Sequence, residues 1–474
     1  MARGVLLLLC TLLFVGSARI IAGDLGGFVV SPFRADVWVA DIQRPRGLVI
    51  DDGGDVLVVS SGVGIIALWE ETPNGRVDKT TIVQNWDLNH GIAISDGWLY
   101  ASTNTTVWRW RYYSGQRREA IGMEMVIRNI NNDNFGRPTE GYGTGTLAID
   151  RGILYVSVGS SSNDDLDSYR ARLRSFDLGR IPWGGYDFAQ GLVFADGLRN
   201  EVGLAFDTRG RLWGVENGAD ELERYDLGGD IHDDNPAEEM NLFDGPTGTF
   251  YGYPYCWTEY KLSSRVGHGR GTQWAWPSFI NGSINDDWCR EVRNNRPPEI
   301  TMPAHTAPLG ITFYNGSNCG NMLTSSSSFT SGNDNGKSQN LFSFDCVYEG
   351  DAFVALHGSW NRDTPVGYKV VRIRMNDTGL PTLPANRNVL DIFGRKEPLS
   401  RCGDGAAQSC FRPVDLKFTR QGVLLVTSDD TDQIIRVTQD RSYGARTDAS
   451  RMAVLSCCAF VLAVQPGDQE CDNI

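Results

Sequence analysis

One pattern recurs six times along the chain and constrains its fold more than any other feature. Each copy opens on a small residue, runs through three or four apolar positions, turns at Gly or Asp, and returns as an apolar strand with a polar end. The copies are RGLVIDDGGDVLVVSS from Arg46, HGIAISDGWLYASTN from His90, GTLAIDRGILYVSVGSS from Gly145 and VGLAFDTRGRLWGVENG from Val202. The fifth is LGITFYNG from Leu309 with AFVALHGSW from Ala352, and the sixth is VDLKFTRQGVLLVTSDD from Val414. Alternating and β-branched apolar residues around a Gly or Asp turn describe a β-hairpin. No single hairpin buries its own apolar face. Six packed radially cover one another and expose only short edges, so the expected fold is all-β, a six-bladed β-propeller. A β-sandwich with long loops is the other architecture such strands allow. Successive copies start roughly 45 to 105 residues apart, which places long loop insertions in the fourth and fifth blades. Helical periodicity is nearly absent, and the best amphipathic stretch, Glu238 to Phe243, is too short to matter.

The ends of the chain read differently from its middle. Residues 1–23 carry Arg3, the apolar run VLLLLCTLLFV and then Gly16, Ser17 and Ala18, the layout of a secretory signal. A signal anchor is the alternative, but a span needs about twenty apolar residues. Residues 24–440 hold no Pro/Ser-rich or single-charge linker and are expected to form one domain. Residues 441–474 form a tail whose apolar run, Met452 to Val464, is also too short to span a bilayer. Sequons at Asn104, Asn281, Asn315 and Asn376 fit an extracellular, glycosylated protein.

With Cys10 assigned to the leader, six of the other cysteines fall into local pairs: Cys256 with Cys289, Cys319 with Cys346, and Cys402 with Cys410. These read as loop staples of a secreted protein. The alternative, metal ligation, finds no CxxC pair or Cys/His cluster at zinc spacing before the tail. A formal charge of −14 without a long basic block argues against nucleic acid, whose binding needs clustered Lys and Arg.

In a propeller the residues before each inner strand converge on one axial end. Here they are Arg44, Arg46, Asn89, His90, Tyr142, Arg199, Asn200 and Arg412, with Glu216, Asn217, His357, Trp360 and Arg362 at strand ends. A cationic, aromatic ring inside an acidic protein suits a planar polyanion, because each Arg fork takes a carboxylate in bidentate fashion. Singly, each Arg or Asn is as well explained by satisfying loop carbonyls.

The strings around these residues are GLRNEVGLAFD from Gly197, ENGADELERYD from Glu216, IHDDNPAEEMN from Ile231, YGYPYCW from Tyr251, PAHTAPLGITF from Pro303, HGSWNRDTPVGYK from His357 and CFRPV from Cys410. They resemble the pyrroloquinoline quinone-dependent pyranose dehydrogenases, a family related to the bacterial soluble glucose and sorbosone dehydrogenases. The resemblance covers about residues 30–440, and HGSWNR and DNPAEEMN are its specific strings. It implies a quinone on the propeller axis in contact with Arg199, Asn200, His357, Arg362 and Arg412, with calcium on the carbonyls of Gly218 and Ala219. It also implies oxidation of a sugar, a pyranose or aldose, at its anomeric carbon by hydride transfer to pyrroloquinoline quinone. Electrons then pass to an external acceptor such as a cytochrome or quinone, and His90 faces the substrate.

The resemblance breaks at one place. The family's base is the histidine of a string like GGHxTRTL, and here residues Glu140 to Leu147 read EGYGTGTL, with Tyr142 for the histidine and Gly145 for the arginine. A free phenol has a pKa of about 10, against about 6.5 for imidazole, so Tyr142 is a weak proton acceptor at neutrality. Either His90 takes over as base, or turnover is slow, or the protein is a catalytically impaired secreted propeller that binds quinone, sugar or a protein partner.

Overall fold

The computed structural model describes residues 27–71, 76–132, 145–166, 169–316, 319, 343–382, 384–396, 399, 402 and 409–439. The expected leader, the tail and Tyr142 lie outside the described residues. The chain folds into a six-bladed β-propeller whose innermost strands are Pro45–Ile50, Ile92–Ser95, Thr146–Asp150, Glu201–Phe206, Pro308–Phe313 and Pro413–Phe418. Each of the six sequence copies supplies the first two strands of one blade, joined antiparallel. Each inner strand packs on the next, and the sixth returns to the first, closing the ring.

The second strands show why the copies read as near-continuous apolar runs. Val56–Ser60, Trp98–Ser102, Leu212–Glu216, Ala352–Leu356 and Leu424–Ser428 are buried along their whole length, because a neighbouring blade covers each face. The core is therefore six inter-blade layers. Leu57 and Val59 of blade 1 pack with Leu99 and Trp110 of blade 2, and Tyr100 with Leu154 and Val156 of blade 3. Leu173 meets Leu204 and Leu212 of blade 4, Trp213 and Met240 meet Ile311 and Val354 of blade 5, and Phe353 meets Leu424 and Val426 of blade 6. Leu425 and Ile434 then close on Val56 and Val58 of blade 1. Each such side chain contributes about 1.5–3 kcal/mol on burial.

Closure relies on chain segments far apart in sequence. Phe33–Val39 pairs antiparallel with Gln433–Gln439 and completes blade 6, while Gly27–Val29 pairs with Val389–Arg395 on the edge of blade 5. Residues Glu238–Leu242, the best helical candidate of the sequence, form the third strand of blade 4. Their pairing with Leu212–Glu216 and Ile300–Met302 overrides the local pattern.

Between Leu242 and Ile300 the chain adds a hairpin of Cys256–Thr258 with Gln273–Ala275 and a short helix, Asp286–Arg290. Cys256–Cys289 staples the hairpin to this helix. Cys319–Cys346 and Cys402–Cys410 form as the local pairing predicts. Among the described residues no helix is long and apolar enough to cross a membrane.

Candidate functional site

Several residues flanking the inner strands meet one another across neighbouring blades. Arg46 enters blade 1 and points its guanidinium at two neighbours: Nη1 donates to Asp429 Oδ2 at 2.6 Å, and Nη2 lies 3.4 Å from His90 Nδ1. Asp429, just past the second strand of blade 6, also takes His357 Nε2 on Oδ1 at 2.9 Å. One carboxylate thus joins blades 1, 5 and 6. Burial alone would raise the Asp429 carboxyl, but His357 and Arg46 hold it well below the usual range. Arg412 donates from Nη2 to the Gly358 carbonyl and lies over the Tyr368 ring.

A second buried chain lies on blade 4. Arg199 donates from Nη1 to the Gly218 carbonyl and from Nη2 to Asp220 Oδ2 at 2.7 Å, and the other Asp220 oxygen lies 3.4 Å from His305 Nδ1. His305 Nε2 donates to the His232 carbonyl at 2.7 Å. Desolvation works to lower the His305 pKa, but Asp220, Glu238 and that carbonyl outweigh it and raise it. Glu238 accepts from Gly218 N at 2.7 Å and Ala307 N at 3.2 Å, tying the two loops together.

His90 is fully buried, and desolvation with Arg46 beside it pulls its pKa down to about 3. It is therefore a neutral ring at any pH near 7. Below it an axial cavity of about 220 Å³ is walled by the inner strands of all six blades. Arg362 turns away from this cluster: its Nη1 donates to the Asp233 carbonyl and its Nη2 pairs with Asp234. Gly145, where the resemblance expects arginine, has φ 47°, a conformation that favours glycine.

Asn200 Oδ1, Asn361 Nδ2 and Arg412 Nε are among the buried polar atoms that have no hydrogen-bond partner among the described residues. Two donors and one acceptor left unpaired fit a planar, carboxylate-bearing ligand. For a cation the fit is mixed. The Ala219 carbonyl accepts no hydrogen bond from the described residues and Asn200 Oδ1 is open, but the Gly218 carbonyl already accepts from Arg199. Sequence reading missed Asp429, Asp220 and His305, whose acidic and imidazole side chains organise the ring from behind. The SDD end of the sixth copy was the signal for Asp429, since the ends of the fourth and fifth copies had already yielded site residues.

The fold and its axial site define a six-bladed propeller with buried Arg, His and Asp side chains at one end, and the sequence narrows that class. Residues 28–440 match the TrAA12-like family model, and the chain belongs to that family. It is 30% identical over 426 residues to a pyrroloquinoline quinone-dependent pyranose dehydrogenase of Coprinopsis cinerea, covering 85% of this chain and 53% of that protein. It is 28% identical over 451 residues to a pyrroloquinoline quinone-dependent sugar dehydrogenase of Hypocrea jecorina, covering 87% and 91%. The chain thus spans about half the length of the Coprinopsis relative. The holo form of the pyranose dehydrogenase PQQ domain from Coprinopsis cinerea superposes with a TM-score of 0.73 at 28% identity, covering 88% of this chain and 98% of that one. The calcium structure of Trichoderma reesei Carbohydrate-Active Enzymes Family AA12 gives 0.72 at 27% identity, covering 88% and 97%.

Proposed function

We propose that this protein is a secreted sugar oxidoreductase that uses pyrroloquinoline quinone and calcium to oxidise a pyranose or aldose at its anomeric carbon. The observation that carries the reading is that Asn200 Oδ1 and Arg412 Nε, both on residues flanking inner strands, are buried without a hydrogen-bond partner among the described residues. The quinone-dependent relatives support it. When bound, the quinone supplies a two-electron acceptor for the hydride of the sugar C–H bond.

The chain's own residues account for the rest. Arg199 and Arg412 bind and orient the quinone's carboxylates, with Asp220 and the Tyr368 ring fixing the two guanidinium groups. Asn200 Oδ1 and the Ala219 carbonyl offer hard oxygen donors to calcium. His90, neutral and at the top of the axial cavity, hydrogen-bonds a sugar hydroxyl rather than taking its proton, since a ring with a pKa of about 3 holds a proton poorly. Secretion is supported by the three disulfides, and an external cytochrome or quinone would take the electrons onward. A test is to add the quinone with calcium to purified protein, measure bound absorbance, and then follow its bleaching by a panel of aldoses. Absence of quinone binding with or without calcium would refute the proposal. Binding without reduction by any aldose would favour the impaired propeller with Tyr142 in place of the family's histidine.

A further inference from the structure

We infer that His357 is the proton acceptor of this site, the base that the Tyr142 substitution removes from its expected position; this rests on the sugar oxidoreductase reading above. The argument begins with the ring's hydrogen bonds. His357 Nε2 lies 2.9 Å from Asp429 Oδ1, and a carboxylate only accepts, so Nε2 carries the proton. The lone pair is then on Nδ1, which has no hydrogen-bond partner among the described residues, in a side chain 18% exposed. Asp429 cannot swing away, because Arg46 Nη1 holds its second oxygen at 2.6 Å. A carboxylate that fixes the tautomer and then stabilises the imidazolium is the support a histidine base needs.

None of the other four histidines meets these conditions. His90 turns Nδ1 to the Arg46 guanidinium and has no hydrogen bond to a carboxylate among the described residues. His305 has both ring nitrogens engaged, by the His232 carbonyl and by Asp220. His232 faces carboxylates on both sides, Asp230 at 2.5 Å and Asp233 at 3.7 Å. His268 packs on Trp274 in the hairpin of blade 4, with no carboxylate on its ring nitrogens among the described residues.

The charged groups facing His357 are Asp429, Arg412 and Arg46. Burial, helped by the two arginines and opposed by Asp429, lowers its pKa below the usual 6.5, so the ring is a free base at neutral pH. In the reaction the anomeric O–H proton passes to Nδ1 and gives an imidazolium whose Nε2–H faces Asp429. The hydride of the anomeric C–H bond would pass to the bound quinone, the two-electron acceptor, as the C–O bond becomes a carbonyl, which balances the oxidation.

The test uses the full chain loaded with pyrroloquinoline quinone and calcium, with quinone retention measured first in each variant. His357→Gly is expected to lose about a hundredfold to ten-thousandfold in the rate of quinone reduction by sugar. Added imidazole should restore part of that rate. The wild-type rate should have an acid limb below pH 6.5, and Asp429→Asn should move it and lower the plateau. Without quinone, nitrogen NMR of histidine-labelled protein should find the His357 proton on Nε2 and lose that preference in Asp429→Asn. No rescue by imidazole, a wild-type rate that climbs only toward alkaline pH as a phenol would ionise, or a proton on Nδ1 would each overturn the inference. Should His357→Gly shed the quinone, an unmoved acid limb in Asp429→Asn overturns it. A wild type that binds no quinone refutes the oxidoreductase reading instead.

Discussion

Glu238→Gln should change the pH dependence of stability between about pH 4.5 and 7. Glu238 is 3% exposed, and burial, with Asp220 adding to it and His305 and two backbone N–H groups opposing, pushes its carboxyl up to about 7. A raised carboxyl pKa means that the unfolded chain ionises first. The folded state is therefore favoured on the acid side and loses stability as pH rises from the unfolded value toward 7. The rise from 4.5 to about 7, at about 1.4 kcal/mol per pH unit, corresponds to about 3 kcal/mol. Glutamine does not titrate, so the stability of wild type relative to Glu238→Gln should fall by about that amount across this window. The amide carries a single acceptor oxygen for the Gly218 and Ala307 N–H groups, which adds a constant cost of about 1–3 kcal/mol to the variant. Urea unfolding followed by tryptophan fluorescence, at several pH values between about 4.5 and 7.5, measures both parts. Parallel curves for the two proteins, offset by the same amount at every pH, would refute the assignment of the raised pKa to Glu238.

Three further outcomes follow from particular contacts. Arg412→Ala should weaken quinone binding by about 1.5–3 kcal/mol, roughly ten- to a hundredfold by equilibrium titration, with little loss of fold because its anchor is a carbonyl rather than a buried carboxylate. Removing Cys256–Cys289, which closes 33 residues, should cost about 3.7 kcal/mol, against about 2.5 kcal/mol for the 8-residue Cys402–Cys410 loop, measured by denaturant unfolding of the paired serine variants. Asp51 accepts from Tyr112 Oη at 2.7 Å and from the N–H groups of Gly53, Asp55 and Gly115, which hold its pKa low despite burial. Asp51→Asn should therefore cost about 1–3 kcal/mol near pH 7, and the difference from wild type should shrink as pH falls through the carboxylate range.

The six hairpins, and with them the propeller, were legible in the sequence because the second strands are covered on both faces and so are rich in apolar residues, as VLVVS at Val56–Ser60 and LLVTS at Leu424–Ser428 are. The three disulfides were legible because each closes a short local loop. Arg46, His90, Arg199, His357 and Arg412 were picked out by their place beside an inner strand or at a strand end, and of these Arg46 meets His90 directly and His357 through Asp429. What those side chains do to one another depended on the tertiary structure. Asp429 lies 383 positions from Arg46, and Asp220 lies 85 from His305, so no periodicity pairs them; ring closure joins the first pair and the packing of blade 4 on blade 5 the second. The same holds for Glu238, in a stretch whose short amphipathic pattern carried no element assignment and which its pairing with Leu212–Glu216 buries. Burial and proximity, which sequence carries only through the closed ring of blades, decide that His90 is neutral, that Arg362 turns to Asp234, and that His357 is oriented by a carboxylate.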